Sequence, residues 1–258
     1  MNNENIKNVG LAATFRGSEI LRKYFGKLPG VMKKGAIDLV TEADLEAERA
    51  IIKVIQNVFP EHSILAEESG LNQAHSDYQW IIDPLDGTTN FAHELGIFAV
   101  SIAFSFKNEI SFGFVLNPVT GELFTAEKGK GAKLNGTPVS VSNTEKISES
   151  LLVTGFPYNH PEIIDSIMFR FGRCISASQG VRRLGSAALD LCFVACGRFE
   201  GFWEQNLKPW DTAAGMLIVK EAGGRVTDFS DNPYEIHHKE ILASNTKIHQ
   251  SMIDILKY

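Results

Sequence analysis

In Trp80-Ile81-Ile82-Asp83-Pro84-Leu85-Asp86-Gly87-Thr88-Thr89-Asn90, an apolar run ends in acids and then in small polar residues. The apolar residues read as a buried strand that delivers Asp83 to its end. Pro84 forbids a regular helix there, and Asp86 follows on the same rigid turn. Two carboxylates so placed can bridge one cation or hold two side by side. Gly87 lets the backbone approach an anion. Thr88, Thr89 and the amides that follow can open a helix whose N-terminus cradles phosphate. Taken alone, the same residues also read as an Asx-rich turn that merely caps a helix.

Outward from this stretch, more acids occupy the same kind of position. Ser63–Ala66 reads as another short buried strand, and it runs into Glu67-Glu68. Asp211 follows Trp210 at the start of a helix, where a lone acid is ordinarily an N-cap. Asp38 and Asp44 flank Thr41, the expected N-cap of a helix with Ala47, Ile51, Val54 and Ile55 on one stripe before Pro60. Glu67, Asp83, Asp86 and Asp211 all stand at the ends of apolar elements, as an oxygen-only site for a hard cation requires. No His/Cys pair has zinc spacing. His237-His238 reads as a solvated loop pair.

The rest of the chain sets the fold class. Helical spacing runs from Ile6 to Phe25 and stops at Gly26 and Pro29-Gly30. From Phe98 to Val139 strand-length apolar runs are broken at Lys107-Asn108, Pro118-Val119-Thr120-Gly121 and Asn135-Gly136, an antiparallel meander. Beyond Ser150 the elements alternate: a strand at Leu151–Thr154, a helix near Pro161–Phe171 and a helix Ser186–Ala195 capped by Gly197. A strand Phe199–Trp203, a helix Asp211–Glu221, a strand Ile241–Ser244 and a helix Lys247–Leu256 complete it. This is a layered α+β fold with two sheets. The expected soft boundary near residue 145 leaves most of the acids in 1–145, and Asp211 with a substrate pocket in 146–258, within one compact unit.

Composition excludes several classes. With 258 residues, 44% hydrophobic and 22% charged, the chain has the make-up of a folded globular protein. A net charge of 25 − 31 = −6 argues against nucleic acid as the main partner. Cys174, Cys192 and Cys196 are an odd set without CxxC spacing, which suggests a reducing compartment. The N-terminus lacks a signal-peptide pattern, and no apolar run approaches bilayer length. The expectation is a cytoplasmic protein without a membrane partner.

Three blocks carry a resemblance: Asp83 to Phe91, Ala66-Glu67-Glu68-Ser69, and Trp210-Asp211-Thr212-Ala213-Ala214-Gly215. Asp38 to Asp44 and Arg182 to Asp190 add to it. Together, in this order, they resemble the inositol monophosphatase family of Mg²⁺-dependent, lithium-sensitive phosphatases, with the bacterial inositol-1-monophosphatases nearest. The resemblance implies an αβαβα sandwich of the sugar-phosphatase type, with the two sheets between helix layers. It implies two to three Mg²⁺ ions: Glu67, Asp83 and the Leu85 carbonyl on one, and Asp83, Asp86 and Asp211 on a second. A third, weaker ion would sit by Glu67. Asp44 would hydrogen-bond Thr88, the Gly87 and Thr88 amides would hold phosphate, and Asp86 and Asp211 would border it. Gly185, Ser186, Ala187 and Glu204 would line the pocket for the alcohol. Catalysis would fall to Glu67 with the Thr88–Asp44 pair, which take the proton of an attacking water.

The implied reaction is hydrolysis of myo-inositol monophosphate and related polyol phosphates. Alternatives are fructose 1,6-bisphosphate, 3′-phosphoadenosine 5′-phosphate, or a non-catalytic regulatory interaction role. Glu204 disfavours a second phosphate by charge repulsion, although it also reads as a plain strand-end surface acid. A homodimer is usual in the family.

Overall fold

The computed structural model describes residues 3–27, 31–33, 39–72, 76–157 and 162–258. Pro29-Gly30, Asp38 and Pro161 lie outside the described residues, so the expectations attached to them are not carried further.

Helix α1 spans Asn3–Tyr24 and α2 spans Glu42–Gln56, with a short hairpin, β1 (Val31–Lys33) and β2 (Leu39–Thr41), between them. Helix α2 starts as expected. Thr41 is its N-cap, and Asp44 completes a reciprocal capping box by accepting from the Thr41 N–H. An eight-stranded sheet follows, built from β3 (Ser63–Ala66), β4 (Gly70–Asn72), β5 (Tyr78–Asp86), β6 (Ala99–Phe106), β7 (Glu109–Leu116), β8 (Leu123–Glu127), β9 (Ala132–Leu134) and β10 (Thr137–Val139). Its order is β10-β9-β8-β7-β6-β5-β3-β4. The meander is antiparallel, with Lys107 and Asn108 both at positive φ in its first tight turn, and only β3 and β5 run parallel. The helix α3 (Thr88–Ala92) sits between β5 and β6.

The second half of the chain supplies β11 (Leu151–Thr154), α4 (Ile164–Ala177), β12 (Gly180–Arg182), α5 (Ala187–Ala195), β13 (Gly201–Gln205), α6 (Pro209–Glu221), β14 (Arg225–Thr227), β15 (Glu240–Ser244) and α7 (His249–Leu256). Its five-stranded sheet has the order β12-β11-β13-β15-β14, parallel among β12, β11 and β13 and antiparallel beyond.

Helices α1 and α2 cover one face of the large sheet, α5 and α6 lie between the sheets, and α4 and α7 cover the far face of the small one. The layering is therefore αβαβα. Each interface has its own apolar filling. Ile6, Leu21, Ile51, Trp80 and Phe104 pack under α1 and α2, whereas Leu152, Trp203, Leu242 and Met252 pack under α7. The middle layer draws Ile81 and Val115 from before residue 145 and Leu191, Phe202 and Ile218 from after it into one cluster. No helix among the described residues is long and apolar enough to cross a membrane.

Several bounds depart from the sequence expectation: α4 runs on past Phe171 to Ala177, and β13 spans Gly201–Gln205 in place of Phe199–Trp203. Strand β5 does not stop at Asp83: it continues through Pro84 to Asp86, with an irregularity against β6 between the two acids. Pro84 has no N–H to pair, and a bulge is where a strand tolerates that. Helix α6 begins at Pro209, ahead of Asp211, because proline suits the first helical position.

A buried polar cluster ties α7 to the small sheet. His249 is 1% exposed; its Nδ1 lies 2.7 Å from Ser244 Oγ, and its Nε2 lies 2.9 Å from Thr227 Oγ1. Burial lowers its pKa to about 4, whereas an unfolded chain titrates its histidines near 6.5. Between those values the unfolded state binds the extra proton, so stability falls as pH drops from about 6.5 to about 4. The thermal midpoint should decline over that window, and His249→Gln should flatten the decline. An unchanged slope in the variant would remove His249 as its source.

Candidate functional site

The two parallel strands of the large sheet end side by side, and this registers the acids. Ala66 pairs with Ile82, so Glu67 and Asp83 leave adjacent strands at one level. The Glu67 N–H donates to the Ile82 carbonyl at 3.2 Å. Asp83 is buried, and its Oδ1 accepts from the Leu85 N–H at 2.9 Å, which orients the carboxyl across the bulge. Asp86 comes off the end of β5 and reaches the other half of the chain. Its Oδ2 accepts from the Ser186 hydroxyl and, at 2.8 Å, from the Ala188 N–H. Asp86 thereby satisfies the first turn of α5, where a negative charge is favoured. Asp211, in the first turn of α6, accepts from the Lys208 N–H at 2.7 Å.

These acids open onto a cavity of about 1300 Å³, lined also by Leu85, Gly87, Thr88, Gly185, Ser186, Ala187 and Glu204. Of the sequence-predicted site residues, only Asp44 stands behind the wall. It is fully buried and reaches the site through Thr88, whose hydroxyl lies 3.1 Å from both Asp44 Oδ1 and the Leu85 carbonyl. Gly87 has φ +99°, and a Cβ there would approach the Ile97 and Gly185 carbonyls to 3.0 and 3.1 Å. Only glycine fits this turn. Across the cavity, the Glu204 carboxyl rests against Gly155, where a Cβ would come within 2.1 Å of Oε2. Glu204 is 7% exposed, so the plain surface reading of this residue does not hold.

The electrostatics are those of buried acids held close together. Burial, then Glu67, Asp86 and Asp211, push Asp83 well above the usual carboxylate range. Burial, then Asp86, does the same to Asp211. Burial raises Asp86 to about 6, against the hydrogen bonds from Ser186 and α5. Beyond burial, Glu67 and Asp86 thus raise the proton affinity of both Asp83 and Asp211 through space. Among the described residues no three His, Cys, Asp or Glu side chains form a ready-made coordination sphere. The donor set nonetheless fits a hard divalent cation, since it is all oxygen, acidic and largely desolvated. Such a cation turns the mutual repulsion into attraction.

Sequence reasoning passed over several neighbours. Glu48, one turn after Asp44 on α2, is buried and accepts from the Glu68 N–H at 2.8 Å, fixing the loop that carries Glu67. Its helical spacing from Asp44 was the available signal. His237 and His238 belong to a loop, as expected, but that loop borders the cavity. Asp190 lies on the cavity wall and is fully buried. The three cysteines are free; burial raises Cys174 to about 12 and holds Cys192 and Cys196 above their ordinary value, so none is an activated thiol.

Comparison with known proteins adds an independent line. A family model described as the inositol monophosphatase family matches residues 2–257. The inositol-1-monophosphatase of Synechocystis sp. is 47% identical over 242 residues, 93% of this chain and 84% of that protein. The Nus factor SuhB of Pseudomonas aeruginosa is 40% identical over 257 residues, 97% of this chain and 95% of the relative. The structure of inositol monophosphatase from Anabaena (Nostoc) sp. superimposes with a TM-score of 0.90 at 41% identity, covering 99% of this chain and 96% of the other.

Proposed function

The chain belongs to the inositol monophosphatase family, and from that premise we propose that it is a Mg²⁺-dependent phosphomonoesterase acting on myo-inositol monophosphate and related polyol phosphates. The observation that carries this reading is the convergence of Glu67, Asp83, Asp86 and Asp211 on one cavity, with Asp83 made proton-hungry by burial and then by the other three acids. Asp83, Asp86, Asp211, Glu67 and the Leu85 carbonyl hold the metal ions. When bound, Mg²⁺ neutralises this acidic wall and the phosphate charge, and it acidifies water at the site.

The chain's own residues do the rest. The Gly87 and Thr88 amides sit at a turn whose glycine carries no side chain of its own, and they bind phosphate oxygens. Glu67, on the loop pinned by Glu48, takes the proton of the attacking water. Thr88 passes hydrogen-bond polarisation to Asp44, which burial raises to about 6, within reach of proton transfer near neutral pH. Glu204 accepts hydrogen bonds from the alcohol. The test is phosphate release from inositol 1-phosphate beside fructose 1,6-bisphosphate and 3′-phosphoadenosine 5′-phosphate; the monophosphate should be preferred. No release from any of them would sink the proposal and favour an interaction role, the reading that relatives named Nus factor support.

Glu204 supplies a selectivity test. One charge-assisted hydrogen bond is worth about 1.5–3 kcal/mol, so Glu204→Ala should lower kcat/KM for inositol 1-phosphate by roughly 10–150-fold. p-Nitrophenyl phosphate has no hydroxyl to lose and should change several-fold at most. Equal losses on both would mean that Glu204 supports the wall and not the choice of alcohol.

A further inference from the structure

The stretch that opens on Trp80 closes on Asn90, a residue that neither metal binding nor phosphate binding uses. Asn90 is 7% exposed. Its side-chain amide has two N–H groups, and both are taken. Nδ2 donates to the Ile97 carbonyl at 2.7 Å and to the Leu184 carbonyl at 2.8 Å. The flipped amide would set its oxygen against two carbonyl oxygens, so the donors face only this way. The Asn90 backbone carbonyl accepts from the Leu95 N–H at 2.8 Å, which ties the residue to the turn after α3.

These partners border the phosphate-binding turn. The Ile97 and Gly185 carbonyls are the atoms that a Cβ at Gly87 would meet. From the other side, a Cβ at Gly185 would lie 3.2 Å from Asn90 Nδ2 and 3.3 Å from its Oδ1. The amide therefore packs flat against Gly185, which stands at φ +88°. Three segments meet here: the Gly87 turn, the entry to β6, and the loop that leads from Leu184 into α5. Asp86 holds the far end of that loop through Ser186 and Ala188. On the reading above Asp86 also serves the metal ions, a task the uncharged Asn90 does not share.

We propose that Asn90 is a positioning residue: its amide clamps the loop 184–187 against the phosphate-binding turn, and so sets where the substrate's alcohol meets the wall formed by Gly185, Ser186 and Ala187. This rests on the phosphatase reading above. Gly87 and Thr88, which hold the phosphoryl group, come from the first half of the chain, and these wall residues come from the second. Their separation decides whether an alcohol fits while its phosphate is seated. Reaction rates are sensitive to a misplacement of about 1 Å. A neutral amide bonded to two carbonyls holds that separation without adding charge beside the buried acids.

The test compares the Mg²⁺-loaded wild type with Asn90→Ala, Asn90→Ser and Gly185→Ala. Asn90→Ala removes both donors and should lower kcat/KM for inositol 1-phosphate about 20-fold, mainly through KM. p-Nitrophenyl phosphate makes less use of the wall and should change about 3-fold at most. Asn90→Ser keeps one donor, so its losses should be intermediate, and it carries the test if the alanine variant does not fold. Gly185→Ala pushes the loop away from the same amide and should also penalise the polyol substrate more. Because both changes release one loop, the double variant should lose no more than about 2-fold beyond the worse single variant. Losses that multiply, equal losses on both substrates, or none on either would overturn the assignment.

Hydrogen exchange gives a readout separate from turnover. In the metal-free protein, the amides of residues 184–189 should exchange at least about 10-fold faster in Asn90→Ala than in the wild type, while those of α2 stay unchanged. Unaltered exchange over 184–189 would also overturn the clamp. A wild type that hydrolyses neither ester would count against the phosphatase reading, and the exchange measurement would still decide for or against Asn90.

Discussion

Asp83→Asn should lower turnover by at least ~10²-fold while the fold is kept, because the exchange preserves shape and removes a charge that holds the metal ions on which attack at phosphorus depends. Asp83 is the acid most exposed to its neighbours' repulsion, from Glu67, Asp86 and Asp211 together. The same exchange should therefore raise the melting temperature of the metal-free protein as it abolishes activity. Asp211→Asn should behave alike. Its amide oxygen can still accept the Lys208 N–H, so loss of the helix cap does not confuse the outcome. Wild-type turnover of Asp211→Asn at saturating Mg²⁺ would remove Asp211 from the ligand set.

Chelation should have an effect of similar size. With excess EDTA, phosphate release should fall to background and return on titration with Mg²⁺. Ca²⁺ should inhibit, since its longer bonds and looser geometry place oxygens differently. Mg²⁺ binding should also raise the wild-type melting temperature without substrate, by mass action on the folded state, and Asp83→Asn should blunt that rise. Full activity in excess chelator would sink the metal-dependent mechanism.

Much of the site is legible in the sequence because it lies at the ends of short apolar runs. Ser63–Ala66 and Trp80–Ile82 are too short for helices and end in acids, so their chemistry shows without any knowledge of the fold. Pairing of Ala66 with Ile82 then brings Glu67 and Asp83 together, a step no periodicity contains. Strands β1, β2, β4, β12 and β14 are three residues each and escape pattern reading, since so few residues carry no period. Asp190 stands in a quoted motif. That neither of its carboxyl oxygens has a hydrogen-bond partner among the described residues is a property of the packed interior. Glu48 shows in the sequence only through its helical spacing from Asp44: its partner is a backbone N–H twenty positions away, which no periodicity contains.

The two hydrogen bonds that Asp86 accepts from the start of α5 join residues 100 and 102 positions apart. Closing a loop of that length carries a large entropic penalty, and contacts of such separation form late and together with the rest of the structure. During refolding from denaturant, helical signal should therefore recover before activity does. Regained turnover would mark completion of the whole chain, and neither half expressed alone would contain a working centre.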